Sequence, residues 1–140
     1  MFFGEYQYRL DEKGRIPVPP RFRAHLKDGV VLTTGVEKCI TAYPMAEWQK
    51  LADSLPTGSL SRAKIRILKR AMFGSAFVQP LDNQGRISVP APLREHAGIQ
   101  EDAVVIGANN YLELWNAEDW TAEKLSCQER AGQIIESLEG

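Results

Sequence analysis

Two five-residue segments hold the residues best suited to chemistry. They are Asp11-Glu12-Lys13-Gly14-Arg15 and Asp82-Asn83-Gln84-Gly85-Arg86, both of the form Asp-x-x-Gly-Arg. Glycine at the fourth place permits a positive φ angle. Aspartate at the first place can accept hydrogen bonds from the N–H groups of its own turn. Arginine follows at once and opens a strand, so rigid backbone fixes where its side chain starts. A cation presented in this way can read guanine through O6 and N7, worth about 1–3 kcal/mol of discrimination per good bidentate contact. Two other readings use the same residues. Each Asp and Arg could form a local ion pair that only closes a hairpin. The two aspartates could also act as an acid/base pair, although each is better explained as a turn-former. Two copies with one Arg spacing weigh against a pure turn, which has no need of arginine.

The turns belong to a longer internal repeat. Leu10 to Pro19 returns as Leu81 to Pro90 at an offset of 71 residues. Leu, Asp, Gly, Arg, Ile, Val and Pro occupy the same places in both copies, Arg23 pairs with Arg94, and His25 pairs with His96. Self-similarity at a fixed offset indicates one small unit used twice. In a chain of 140 residues each unit is small and marginal alone, so the two should pack on each other or on partner chains.

The same elements are predicted in each half. Alternating apolar residues predict strands over 3–10 and 76–81, each leading into its turn. Short strands follow over 15–18 and 86–89. Proline then favours a first helical turn, giving short helices over 21–26 and 90–97, the second capped by Gly98. Hairpins are predicted from 30–34 with 39–43, and from 103–107 with 111–115 around Asn109-Asn110. A helix follows each hairpin, the second N-capped by Asn116 with Asp119 three residues on. A further helix spans about 60–73. The organisation expected is a first module over 1–55, a basic linker helix within 56–72, and a second module with an acidic C-terminal helix over 73–140.

Net charge is −1, with 44% hydrophobic and 25% charged residues, ordinary values for a globular protein. The distribution is uneven. Residues 56–79 carry five basic groups and no acidic one, while residues 113–140 carry seven acids and two bases. Such asymmetry lets a near-neutral chain present a basic face. Arg62, Arg66 and Arg70 form a stripe that could touch phosphates. A solvated or subunit-facing helix paired with the acidic C-terminal helix is favoured instead. The cysteines Cys39 and Cys127 make no metal-spacing or disulfide motif; Cys39 is expected buried and Cys127 on a helix surface. His25 and His96 are expected to pack at helix ends, and Trp48, Trp115 and Trp120 to anchor a core or an interface. No signal-peptide pattern or membrane-length apolar run is present, so a cytoplasmic chain is expected. There is no nucleophile elbow, P-loop, dinucleotide fingerprint or zinc-protease helix. No enzyme activity, cofactor or metal is expected.

The paired Asp-x-x-Gly-Arg turns, the Met-Phe-Phe-Gly start and Leu112-Glu113-Leu114-Trp115 together resemble the MraZ family over nearly the whole chain. The resemblance implies an α+β, β-rich fold of two pseudo-symmetric AbrB-like swapped-hairpin modules, double-psi barrel-like, with flanking helices. It implies a nucleoid-associated bacterial transcriptional regulator. Such a regulator binds short direct repeats of double-stranded DNA in the promoter of its own division and cell-wall operon, as a ring of copies. Carried onto this chain, Asp11, Gly14, Asp82 and Gly85 are the motif turn. Lys13, Arg15, Gln84 and Arg86 are DNA-binding positions, joined by Arg9, Arg23 and Arg94. The copies are unequal, since Lys13 matches the neutral Gln84 and Arg9 matches Pro80. The first turn is therefore expected to dominate. The rival reading is a ring-forming scaffold that binds protein partners without DNA.

Overall fold

A computed structural model describes residues 1–139 other than Pro56, Thr57 and Ser59. The first half runs β1 (Glu5–Arg9), β2 (Arg15–Pro17), a 3-10 helix (Pro20–Leu26), β3 (Val30–Thr34), β4 (Ile40–Pro44) and α1 (Met45–Asp53). Helix α2 (Arg62–Gly74) connects to the second half: β5 (Phe77–Gln79), β6 (Arg86–Ser88), α3 (Ala91–Ala97), β7 (Asp102–Gly107), β8 (Leu112–Asn116) and α4 (Ala117–Glu139). Part of the expected linker over 56–61 lies outside the described residues.

The halves do not fold side by side. The main sheet has the order β1-β7-β8-β4-β3-β5. The first strand of each half thus leaves its own hairpin and pairs with the hairpin of the other. Tyr6 lies opposite Val105, and Val78 lies opposite Val31, in equivalent antiparallel ladders. Strands β4 and β8 join the halves around Thr41 opposite Glu113. A second, two-stranded sheet joins β2 to β6 around Ile16 opposite Ile87. Each ladder is therefore either repeated or self-matched, and the fold is a mixed α+β tandem of swapped hairpins with pseudo-twofold symmetry.

Hydrophobic pattern explains the layering. In β1, Tyr6 and Tyr8 face the core while Glu5, Gln7 and Arg9 face outward. Val30, Val31 and Leu32 are all fully buried, because β3 is a central strand covered on both faces. Ile16, Val18 and Phe22 meet Ile87, Val89 and Leu93 in one cluster between the two sheets. Each such side chain contributes about 1.5–3 kcal/mol by leaving water. Neither half could bury these groups alone.

The two short helices differ for a local reason. Gly98 adopts φ +66° and closes α3 with its N–H on Arg94 and Glu95 carbonyls. Its counterpart Lys27 stays right-handed at φ −61°, and that segment is a 3-10 helix instead of the α-helix type found in α3. Asn116 caps α4, its Oδ1 accepting from the N–H groups of Glu118 and Asp119 at 2.8 and 3.0 Å. Ser61 caps α2 by accepting from Lys64 N–H at 3.2 Å.

Two features of the helices differ from a simple packed pair. The five basic residues of α2 are exposed, and among the described residues none makes an ion pair with α4. Apolar Ile67 on α2, and Ile134 and Leu138 on α4, also stay 61, 55 and 81% exposed. No helix is long and apolar enough to cross a membrane among the described residues.

Candidate nucleic-acid interface

The two Asp-x-x-Gly-Arg turns fold identically. Asp11 Oδ1 accepts from Lys13 and Arg15 N–H, both at 2.9 Å. Asp82 Oδ1 accepts from Gln84 and Arg86 N–H, again at 2.9 Å. The second carboxylate oxygen takes the arginine Nε at 2.7 Å in both turns. Gly14 and Gly85 stand at φ +71° and +74°, which explains why the fourth place is glycine.

The Arg15 and Arg86 guanidinium groups are thus held at one corner by their own aspartates. Arginine has five N–H donors and each pair uses Nε, so among the described residues the Nη groups of Arg15 and Nη2 of Arg86 keep donors for a further acceptor. Their side chains are 29 and 25% exposed. Arg86 Nη1 also lies 3.7 Å from Asp11 Oδ2, so the two turns meet across the pseudo-twofold. They form one continuous surface.

The backbone N–H bonds of Arg15 and Arg86 are the largest cause lowering the pKa of Asp11 and Asp82, and burial opposes them. The ion pairs with the arginines lower both further. Carboxylates held this firmly in the ionised state are poorly suited to deliver a proton near neutrality.

Arg23 and Arg94 do a different job from the turn arginines. Arg23 Nε donates to Val18 O at 2.9 Å, and Arg94 Nε donates to Val89 O at 3.0 Å. Each then crosses to the other half. Arg23 covers Gly85, and Arg94 lies beside Gly14, where an added Cβ would stand 3.1 Å from its guanidinium carbon. Val18 N–H donates to Gly85 O, and Val89 N–H donates to Gly14 O, both at 2.9 Å. The arginine of one half therefore braces the turn of the other.

Arg9 sits at the rim, 2.7 Å from Glu101 and 3.4 Å from Asp102, in exposed pairs. Lys13 and Gln84 are exposed at equivalent turn positions. Arg21 adds a further cation that the Asp-x-x-Gly-Arg motif does not include. It lies over the Phe3 ring at 5.3 Å on the same half as Lys13. Copy comparison carries the signal for it, because the matching position is the uncharged Pro92.

Local charge balance is informative. Residues 11–15 contain two acids and two bases, and residues 82–86 contain one of each. Both turns sum to zero. Such a surface is suited to directional hydrogen bonding more than to bulk attraction of an anion.

The remaining candidates divide cleanly. Cys39 is buried and Cys127 exposed. His25 packs edge-on to Phe2 at 5.7 Å between ring centres, and His96 Nε2 lies 3.2 Å from Glu37 O. Both are helix-end contacts. Trp115 is buried and packs against Trp120 at 5.7 Å, while Trp48 packs against Tyr43 and Phe73.

Interleaved hairpins with paired Asp-x-x-Gly-Arg turns define a tandem swapped-hairpin protein. The family model described as "MraZ protein, putative antitoxin-like" matches residues 1–71 and again 72–130. The chain is 54% identical over 140 residues to a protein of Dehalococcoides mccartyi named transcriptional regulator MraZ, with 99% of each chain covered. It is 41% identical over 138 residues to proteins of the same name from Frankia alni and Syntrophomonas wolfei, covering 99% of this chain and 96% of each relative. The chain belongs to the MraZ family.

Proposed function

We propose that the protein is a sequence-specific DNA-binding transcriptional regulator that reads short direct repeats in the promoter of its own division and cell-wall operon. The observation that carries this reading is the joining of the two turns, with Arg15 and Arg86 on one surface and 3.7 Å between Arg86 and Asp11. The names of the relatives support a regulator. Arg15 and Arg86 supply base reading, Lys13 and Gln84 flank them, and Arg9 reaches toward the backbone. Arg23 and Arg94 act mainly by bracing the turns. Geometry supports the roles of Arg15, Arg86, Arg23 and Arg94, whereas Arg9 is placed by its exposed charge alone and must leave Glu101 and Asp102 to meet a phosphate.

A ring of copies completes the reading. Each surface has charge-neutral turns, and phosphate neutralisation supplies most non-specific affinity. One protomer is therefore a weak binder. Linking several copies raises effective concentration by large factors without any new contact. Direct repeats suit successive protomers of one ring. The exposed apolar residues of α2 and α4 supply surface for a heterologous, closing interface. A regulator of this kind works on the nucleoid, in the cytoplasm.

Gel shift and fluorescence anisotropy on a promoter fragment test the reading. Saturable, salt-sensitive and sequence-dependent binding is expected, and it should be lost in the Arg15→Ala, Arg86→Ala double variant. The exposed apolar residues of α2 and α4 support a second reading, a ring-forming scaffold that binds protein partners without DNA. Absence of any sequence-specific shift at moderate salt would select that scaffold.

A further inference from the structure

A cavity of about 410 Å³ lies on the outer face of the main sheet, beside α1 and α2. Tyr43, Trp48 and Tyr111 form one aromatic wall, with Tyr43 at 5.6 Å from Trp48 and 5.3 Å from Tyr111 between ring centres. Leu51 and Met72 line an apolar part, and Glu37 and Glu113 also line the cavity. None of its lining residues is basic.

Glu113 belongs to the Leu-Glu-Leu-Trp segment, which the turn surface does not use. It stands opposite Thr41 where the two halves join. Burial is the main cause that raises its pKa, opposed by the hydrogen bond from Trp115 Nε1 at 3.1 Å, while the negative charges of Glu37 and Glu123 raise it further. Acceptor atoms of Glu37 and Glu113 and the Cys39 sulfur all lie within 4.8 Å of one another. Burial pushes the Cys39 thiol up to about 12, so the uncharged thiol adds no negative charge to the cavity wall. The neighbouring cation, Lys38, is engaged by Asp119 at 3.4 Å.

A partly buried carboxylate without a cation is costly. Aromatic faces attract cations placed within about 6 Å of the ring centre. The apolar part beside them suits an aliphatic stem. We propose that this cavity binds a small organic cation of the alkylammonium class, its charged head against Glu113 and Glu37 and its stem along Trp48, Leu51 and Met72. Tyr43 and Trp48 come from the first half and Glu113 from the second. Occupancy therefore ties the two halves together where their sheet is joined.

The intact chain titrated with 1-aminopentane tests this by calorimetry and tryptophan fluorescence, with 1-pentanol as the neutral analogue. Saturable one-to-one binding of the amine, and none of pentanol, is expected. Glu113→Gln should weaken it by about tenfold or more, the effect of removing one charge pair. If that variant fails to fold by circular dichroism, Glu37→Gln and Tyr111→Leu carry the same expectation. Absence of saturation at millimolar amine would overturn the proposal, as would equal affinity in the carboxylate variants. Saturable binding of zinc chloride without any of the amine would assign the site to a metal and overturn it. A change in oligomeric mass on Glu113→Gln, with no amine binding by the parent, would make the cavity a subunit contact and also overturn it.

Discussion

Arg23 lies over Gly85, a residue 62 positions away and on the opposite half of the repeat. The same brace holds Arg94 beside Gly14, with more room. Alanine at Gly85 meets both a positive φ and the body of the Arg23 side chain. Gly85→Ala is expected to destabilise the fold by about 1–3 kcal/mol, the usual cost of a non-glycine residue in such a conformation. Gly14→Ala should cost less, because its nearest neighbour need give only slightly. Urea unfolding of both variants checks the order. Equal losses would remove the asymmetry of the brace.

Charge at the turn tips should separate base reading from backbone attraction. Lys13→Ala is expected to weaken promoter and random DNA alike and to lower the salt slope by about 1. Gln84→Ala should leave that slope unchanged. Arg15→Ala should cost about 1–3 kcal/mol on the promoter and relax base preference. Anisotropy titrations over a salt series distinguish these outcomes. A larger salt-slope change for Gln84→Ala than for Lys13→Ala would reverse the inequality of the two turns.

Asp11 and Asp82 make stability depend on acidity. Hydrogen bonding from the turn N–H groups leads the depression of both folded pKa values. A depressed acid adds stability that is complete above its unfolded value, about 3.9, and is lost as pH falls through the folded one. The unfolding midpoint should therefore drop below about pH 4. The Asp11→Asn, Asp82→Asn double variant keeps the Oδ1 acceptors and should flatten that part of the profile. An unchanged slope would show that other carboxylates govern acid unfolding.

Glu113 works in the opposite direction. Burial raises its folded pKa, so ionisation penalises the native state as pH climbs past the unfolded value of about 4.3. Glu113→Gln can keep the bond from Trp115 Nε1 while removing the charge. Melting near neutral pH should shift upward in the variant, and the two curves should converge in acid. A lower melting temperature at neutral pH would contradict this account of the carboxylate.

The C-terminal part of α4 supplies a test of assembly. Ile134 and Leu138 are 55 and 81% exposed on a helix with no covering element among the described residues. Ile134→Glu with Leu138→Glu should lower the molar mass measured by light scattering, with the sheet core intact by circular dichroism. A parent chain that is monomeric at all concentrations would overturn the ring reading.

Local features of this protein were legible in its sequence because local physics decides them. Gly14 and Gly85 announce positive φ, Asp11 and Asp82 announce self-bonded turns, and Asn116 announces the start of α4. Alternating side chains mark the hairpins, and the 71-residue offset shows that one unit is used twice. Pairing between distant segments follows a different logic. The β1 ladder with β7 and the β5 ladder with β3 depend on which surfaces fit after both halves exist. No spacing in the chain says that Arg23 will brace Gly85, that Arg86 will approach Asp11, or that Glu113 will face an aromatic cavity. Those relationships arise from close packing across the pseudo-twofold, where burial and shape choose partners that are remote in sequence. The residue types and turns were therefore set locally. The single two-turn surface, the bracing role of Arg23 and Arg94, and the aromatic cavity at Glu113 were decided by the interleaving of the halves.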